Sequence, residues 1–369
     1  MAYRICMIGT QFLGVPTDKG GAIEYLSFNL AKGLSQKEFE VTYFSVDPKI
    51  KFSSVPLLNI ERFPAKKTNA LFFSFFVLFK SLFKKTDAVY VSGCSMIFAG
   101  LILSKIKRTP LIYHEFNHNP WIKPNNFFYD FLARFSVKHS DYTLIAGNSI
   151  IQSVIEQTKI PEKKILQLPD FVVLDEFPFS PEKKQKKILF VARLVKHKGI
   201  DFVLNLTKKS GFEKWIFEII FPEPDSTEEK NYLKKIKSLV DSSKKKVSFR
   251  SGISRKELIK AFSSASILVL PSSQESFGMV LAEAMACFTP CVAFSIGGTT
   301  EIIEDNINGF LVKLNDFDLF EKKLLELTQD EKKRISFGFK ARKKIEEKFS
   351  FVNSLNSFEQ FLKKILVKK

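Results

Sequence analysis

Pro271-Ser-Ser-Gln-Glu275-Ser-Phe-Gly-Met-Val-Leu-Ala-Glu283-Ala-Met-Ala-Cys287 is the stretch that decides how this chain folds. The apolar run before it, Ile267-Leu-Val-Leu270, reads as a buried strand, and Pro271 turns the chain into a polar loop. From about Gly278 the residues are good helix formers. Glu275 therefore lies in the loop, and Glu283 lies about one and a half turns into the helix. The unpaired backbone N–H groups of a helix start, here around Ser276, Phe277, Gly278, Met279 and Val280, favour an anion. Carboxylates beside them accept hydrogen bonds from a sugar or ribose diol. A nucleotide-sugar carries both kinds of group.

The same alternation of strand and helix runs along the whole chain. Candidate strands in the first half are Arg4–Gly9, Glu40–Val46, Asp87–Gly93, Pro110–Glu115, Tyr142–Gly147 and Lys164–Pro169, with amphipathic stretches such as Ala22–Leu34 between them. Residues 175–187, with two prolines and a lysine run, read as a linker. A second series follows: Ile188–Arg193, Phe217–Phe221, Val247–Arg250, Ile267–Leu270, Cys291–Phe294 and Gly309–Val312. Such a pattern predicts an α/β protein with two Rossmann-like, doubly wound parallel-sheet domains, residues 1–177 and 178–349. Ligands in such sheets sit beyond the carboxyl ends of the strands.

Composition agrees. A chain of 369 residues is long enough for two cores, and 45% hydrophobic with 26% charged residues is globular. Arg4–Gly9 reads as a first strand and not as a signal peptide. The four cysteines have neither metal-ligand nor disulfide spacing, which predicts reduced thiols and a cytoplasmic protein. A net charge of +18 fits nucleic acid, an anionic membrane or a lysine-biased proteome. The lysines are spread along the chain without a zinc-finger, RNP-like or helix-turn-helix motif, which sets nucleic acid aside. Leu71-Phe-Phe-Ser-Phe-Phe-Val-Leu-Phe-Lys-Ser-Leu-Phe83 is apolar nearly all round and too short to span a bilayer. Such a helix is either buried or lies on a membrane surface.

Two motifs are decoys. His114-Glu-Phe-Asn-His118 has zinc-protease spacing, but it ends a strand, and Asn117, Asn119 and Pro120 oppose the helix that this chemistry needs. Asp316-Phe-Asp318 imitates a metal-binding triplet, yet it precedes an amphipathic run, so Asp316 reads as a helix cap.

The motif around Glu275 and Glu283, with seven residues between the two glutamates, resembles the signature of family 4 retaining glycosyltransferases of the GT-B fold. The resemblance extends to Gly20-Gly21-Ala-Ile-Glu24, to Arg193-Leu…Lys198-Gly199, to Gly252, and to Gly297-Gly298-Thr-Thr-Glu301. It implies two domains facing across a cleft, with the helix at 350–369 crossing back to the first. It also implies catalytic roles for Arg193, Lys198, Glu275 and His114. The two cations would take the charge of the departing diphosphate, Glu275 would meet donor-sugar hydroxyls, and His114 would meet a sugar hydroxyl or the acceptor. Gly20, Gly21, Gly252, Ser276, Phe277, Gly278, Met279, Val280 and Glu283 would hold the nucleotide-sugar. No metal or other cofactor is implied, and the acceptor would be a glycan or a lipid-linked molecule. An anionic membrane, on the inner face of the cell membrane, is a further expected partner.

Departures from the family pattern are Pro169-Asp-Phe-Val-Val173, Phe221-Pro-Glu-Pro224 and Phe288, which stands where glycine is usual. A GT-B epimerase or phosphorylase, or a protein that binds nucleotide-sugar without turnover, would share the same motifs.

Overall fold

Each of those apolar runs is a strand in the computed structural model, which describes residues 2–17, 21–49, 53–64, 68–116, 127–179, 181, 183–241 and 247–367. Gly20 and His118 lie outside the described residues. The chain divides into two units, Met1–Asp170 with Val352–Lys369, and Phe171–Phe351.

The first unit holds strands β1 (Arg4–Ile8), β2 (Glu40–Val46), β3 (Leu58–Phe63), β4 (Ala88–Ser92), β5 (Leu111–Glu115), β6 (Tyr142–Ile145) and β7 (Ile165–Gln167). Its helices are α1 (Ala22–Gln36), α2 (Ala70–Ser81), α3 (Ile97–Lys107), α4 (Phe127–Lys138) and α5 (Asn148–Thr158). All pairings are parallel, in the order β3-β2-β1-β4-β5-β6-β7. The order reverses between β1 and β4, where Ile5 sits opposite Val41 on one side and Ala88 on the other.

The second unit repeats the plan with β8 (Gln185–Val191), β9 (Ile216–Phe221), β10 (Val247–Ser251), β11 (Ala265–Leu270), β12 (Cys291–Phe294) and β13 (Gly309–Val312). The order is β10-β9-β8-β11-β12-β13, again all parallel, so its switch point lies between β8 and β11. Helices α6 (Ile200–Leu206), α7 (Thr227–Asp241), α8 (Arg255–Ser264), α9 (Met279–Ala286), α10 (Thr299–Ile302), α11 (Phe317–Gln329) and α12 (Glu331–Lys348) cover the sheet. Every residue of β11 is buried, as expected for a strand roofed on both faces. Each fully buried aliphatic or aromatic side chain in such a core contributes about 1.5–3 kcal/mol.

β3 was not foreseen. Its residues alternate Leu58, Asn59, Ile60, Glu61, Arg62 and Phe63 and are mostly half-buried, which is what an edge strand needs and what an apolar-run search misses. The chain passes to the second unit after Asp170, not after Phe177. Val172 bridges to Ser350, and the Phe171 and Phe351 rings lie 5.1 Å apart, so residues 171–177 are built into the second unit. The last helix, α13 (Phe351–Leu366), joins the first unit through Leu355, Phe358, Leu362 and Leu366, all buried. Its Phe358 ring lies 5.7 Å from Tyr90. Asp316 caps α11, accepting the Leu319 N–H at 3.0 Å. Cys6, Cys287 and Cys291 are buried thiols, and Cys94 is half-buried.

Two departures have visible consequences. Phe288 occupies a left-handed backbone conformation, φ 58°, that glycine would take without strain. In return its ring is buried against Phe339, 5.4 Å away, and beneath the Arg342 guanidinium. Asp170 is buried, and its Oδ1 has no hydrogen-bond partner among the described residues. Burial pushes its carboxyl up to about 8, so at neutral pH it is largely protonated. A raised carboxyl pKa stabilises the fold below the unfolded value near 4 and loses that stability as pH rises through the folded value. Asp170→Asn removes the titrating group. Its melting temperature should rise above that of the parent, with a gap that widens from pH 4 to pH 9 in differential scanning fluorimetry. A constant gap would contradict the assignment.

Candidate functional site

At the second unit's switch point, the loops that leave β8 and β11 are folded against each other. Gly199 makes this possible. It sits at φ 77°, and a Cβ there would overlap the Pro271 carbonyl oxygen. Ser273 donates its N–H to the His197 carbonyl at 2.8 Å, fixing the two loops together. The arrangement brings Lys198 Nζ to 2.6 Å from Glu275 Oε1 and 3.4 Å from the Gln274 carbonyl. These side chains are only 13% and 11% exposed, so the pair works in a low dielectric, where ionic hydrogen bonds are strong.

Arg193 follows β8 with its side chain in solvent. It lies close enough for its charge to act on His197. Burial first, then Lys198 and Arg193, hold the His197 ring below its usual pKa. Two cations, Arg193 and Lys198, and a histidine held towards its neutral form thus gather at the end of one strand, with the Glu275 carboxylate on Lys198.

The helix expected after Gly278 is present as α9. Gly278 caps it at φ 97°, a conformation that lets the chain turn sharply out of the loop. Phe277 is buried with its ring 5.4 Å from Phe349, while Met279 and Val280 are half-buried at the helix start. Gly298 donates its N–H to the Ser276 carbonyl at 3.0 Å, so the loop after β12 braces the one after β11. Lys198, Glu275 and the residues from Ser276 to Val280 thus lie at one corner of the second unit. Gly252 follows β10, which β9 separates from β8, and a Cβ there would meet Glu223.

Glu283, expected from the family resemblance to hold the nucleotide-sugar, carries an ion pair of its own. It is 8% exposed, and its Oε1 accepts from Arg255 at 2.8 Å. Arg255 also donates to Glu176 at 2.5 Å and lies over the Phe177 ring. Burial raises the Glu283 pKa, and the Arg255 guanidinium opposes that rise. Neither Arg255 nor Glu176 was singled out in the sequence. The local signal at Arg255 is only a capping box, Ser254 with Glu257, which starts α8. Its partners are 28 and 79 residues away.

The remaining anticipated residues belong to the first unit. Gly21 caps α1 beside Glu24, a buried carboxyl that bonds Thr10 Oγ1 and that burial holds above its usual pKa. His114 closes β5. It is 2% exposed, with Nδ1 2.7 Å from the Tyr90 hydroxyl and the Phe116 ring 4.0 Å away. Burial pushes its pKa down to about 3, so the imidazole is neutral at physiological pH. Nε2 has no hydrogen-bond partner among the described residues. A neutral imidazole can exchange hydrogen bonds with a hydroxyl but brings no charge to a phosphate. Glu115, next in sequence, is turned into the core by Tyr113 and the Phe116 N–H.

Residues 174–344 match the family described as glycosyl transferases group 1. An uncharacterized glycosyltransferase of Methanocaldococcus jannaschii is 32% identical over 163 residues, 44% of this chain and 44% of that protein. The match thus spans under half the length of that relative. Sucrose-phosphate synthase from Thermosynechococcus elongatus superimposes with a TM-score of 0.83 at 16% identity, covering 100% of both chains. The Anabaena protein HepE in complex with UDP-glucose superimposes with a TM-score of 0.77 at 17% identity, covering 98% of this chain and 99% of that one. At these identities the likeness establishes the fold, which is that of the GT-B glycosyltransferases.

The Arg255–Glu283 contact can be measured by a double-mutant cycle. Arg255→Gln and Glu283→Gln should each cost about 1–3 kcal/mol in urea unfolding. The double variant should cost less than their sum by about 1 kcal/mol or more. Strict additivity would mean that the two groups do not act as a pair.

Proposed function

We propose that this chain is a retaining glycosyltransferase that moves a sugar from a nucleotide diphosphate-sugar to a glycan or lipid-linked acceptor without a metal ion. The observation that carries the reading is the Lys198–Glu275 pair at the switch point, beside the first N–H groups of α9. The family match over 174–344 and the UDP-glucose held by HepE support it.

In this reading Lys198 and Arg193 take up the negative charge that grows on the diphosphate as its bond to the anomeric carbon breaks. The N–H groups of Phe277 to Met279 add to that stabilisation. Glu275, held in place by Lys198, accepts hydrogen bonds from donor-sugar hydroxyls. Glu283, with one oxygen on Arg255, accepts from the ribose diol. Gly21 lets the start of α1 approach the ligand closely, and neutral His114 offers Nε2 to a sugar hydroxyl or to the acceptor. Retention follows from attack on the face that the diphosphate leaves. The acceptor oxygen bonds the anomeric carbon, and its proton passes to the departing diphosphate oxygen. The enzyme would work in the cytoplasm at the inner face of the membrane, where lipid-linked acceptors lie.

Thermal-shift screening against a nucleotide-sugar panel should identify the donor, because a ligand bound only by the folded state raises the melting temperature. With that donor, Lys198→Ala should lower kcat by about a hundredfold or more. Glu283→Ala should instead weaken donor binding by about tenfold to a hundredfold, the loss of charge-assisted hydrogen bonds. Transfer at the parent rate in both variants would overturn the assignment.

A further inference from the structure

Among the described residues, one face of α2 is apolar and exposed. Its inner face is anchored: Phe73 and Val77 are fully buried, and the Phe63 ring meets Phe73 and Phe76 edge-on at 6.1 and 5.4 Å. Its outer face carries Leu71, Phe72, Phe75 and Phe79, each more than 60% exposed and spaced so that they form one stripe. Leu82 and Phe83 extend the stripe past the end of the helix, Phe83 at 89% exposed. The loop after β1 adds to it. Thr68 donates its N–H to the Gln11 carbonyl at 3.2 Å, which sets exposed Phe12 and Leu13 beside the start of α2. A continuous apolar surface of this kind marks an interaction site.

Charge selects the occupant. α2 contains no acidic residue. Lys80 and Lys85 are exposed beside the stripe, and Lys107 Nζ lies 2.7 Å from the Leu82 carbonyl at its far end. Lys84 is the exception, paired with Glu61 at 2.5 Å. A second copy of this chain would bring the same lysines and a net charge of +18 to the contact, so self-association through this face sets like charges together. A bilayer with anionic headgroups offers the opposite: phosphates for the fringe of lysines and an acyl boundary for the phenylalanines.

We propose that α2 is a membrane-docking element, lying in the plane of an anionic leaflet with Phe72, Phe75, Phe79 and Phe83 inserted. Among the described residues no helix is long and apolar enough to cross a membrane, so the attachment is peripheral. The inference does not depend on the donor site.

Co-sedimentation of the full chain with vesicles of phosphatidylglycerol and phosphatidylcholine, against phosphatidylcholine alone, tests it. Binding should require the anionic lipid and weaken at high salt. Lys80→Gln with Lys85→Gln should lower vesicle affinity about thirtyfold, since each cation near an anionic leaflet strengthens binding about fivefold. Phe75→Ser with Phe79→Ser should reduce it at least as much while leaving the melting temperature within a few degrees of the parent. Both outer positions are exposed, so neither change opens the core. Equal sedimentation of parent and variants, or no binding to anionic vesicles, would overturn the proposal. So would light scattering that shows a dimer abolished by the same phenylalanine substitutions.

Discussion

An ammonium and a carboxylate held together with little water, at the fork where two parallel strands part, organise the second unit. Lys198 and Glu275 lie 77 residues apart in the chain, and neither could be tolerated at that burial without the other. The pair thereby obliges the two loops to meet. Gly199 must give up its side chain to the Pro271 carbonyl, and Ser273 must bond His197. Once these loops are closed, α9 starts at the same corner, with its first N–H groups in place. A ligand that brings its own anion and its own hydroxyls can replace each half of the pair by a matched group, so opening the pair does not strand a charge.

The same economy of charge governs the neighbouring acids. Glu283 is buried deeply enough to resist ionisation, and Arg255 counters this from the start of α8 while reaching Glu176 from the segment that begins the unit. In the first unit burial likewise holds Glu24, His114 and Asp170 towards their neutral forms.

Much of this was legible in the sequence because it rests on local pattern. Strands buried on both faces write themselves as apolar runs, and the turn from Pro271 into α9 is spelled by glycine followed by helix formers. The sequence put Lys198 and Glu275 at strand ends of one sheet with separate roles, and their ion pair was not read from it. What the sequence withheld depends on distance or on edges. β3 is an edge strand with an alternating pattern too weak to stand out. Arg255 gives no local sign of its partners across the unit. The passage after Asp170 instead of Phe177 was hidden because prolines and lysines mark a linker by composition, whereas Val172 and Phe171 commit the chain by tertiary packing. For α2, hydropathy allowed either burial or exposure, and the fold gives it one face of each.

The most direct test of the central claim is a crystal structure of the chain with its nucleotide diphosphate-sugar bound. The account predicts the diphosphate within hydrogen-bond distance of Lys198 Nζ and of the backbone N–H groups at the start of α9, with the ribose diol on Glu283. A nucleotide bound elsewhere, with the Lys198–Glu275 pair intact and unoccupied by ligand, would contradict it.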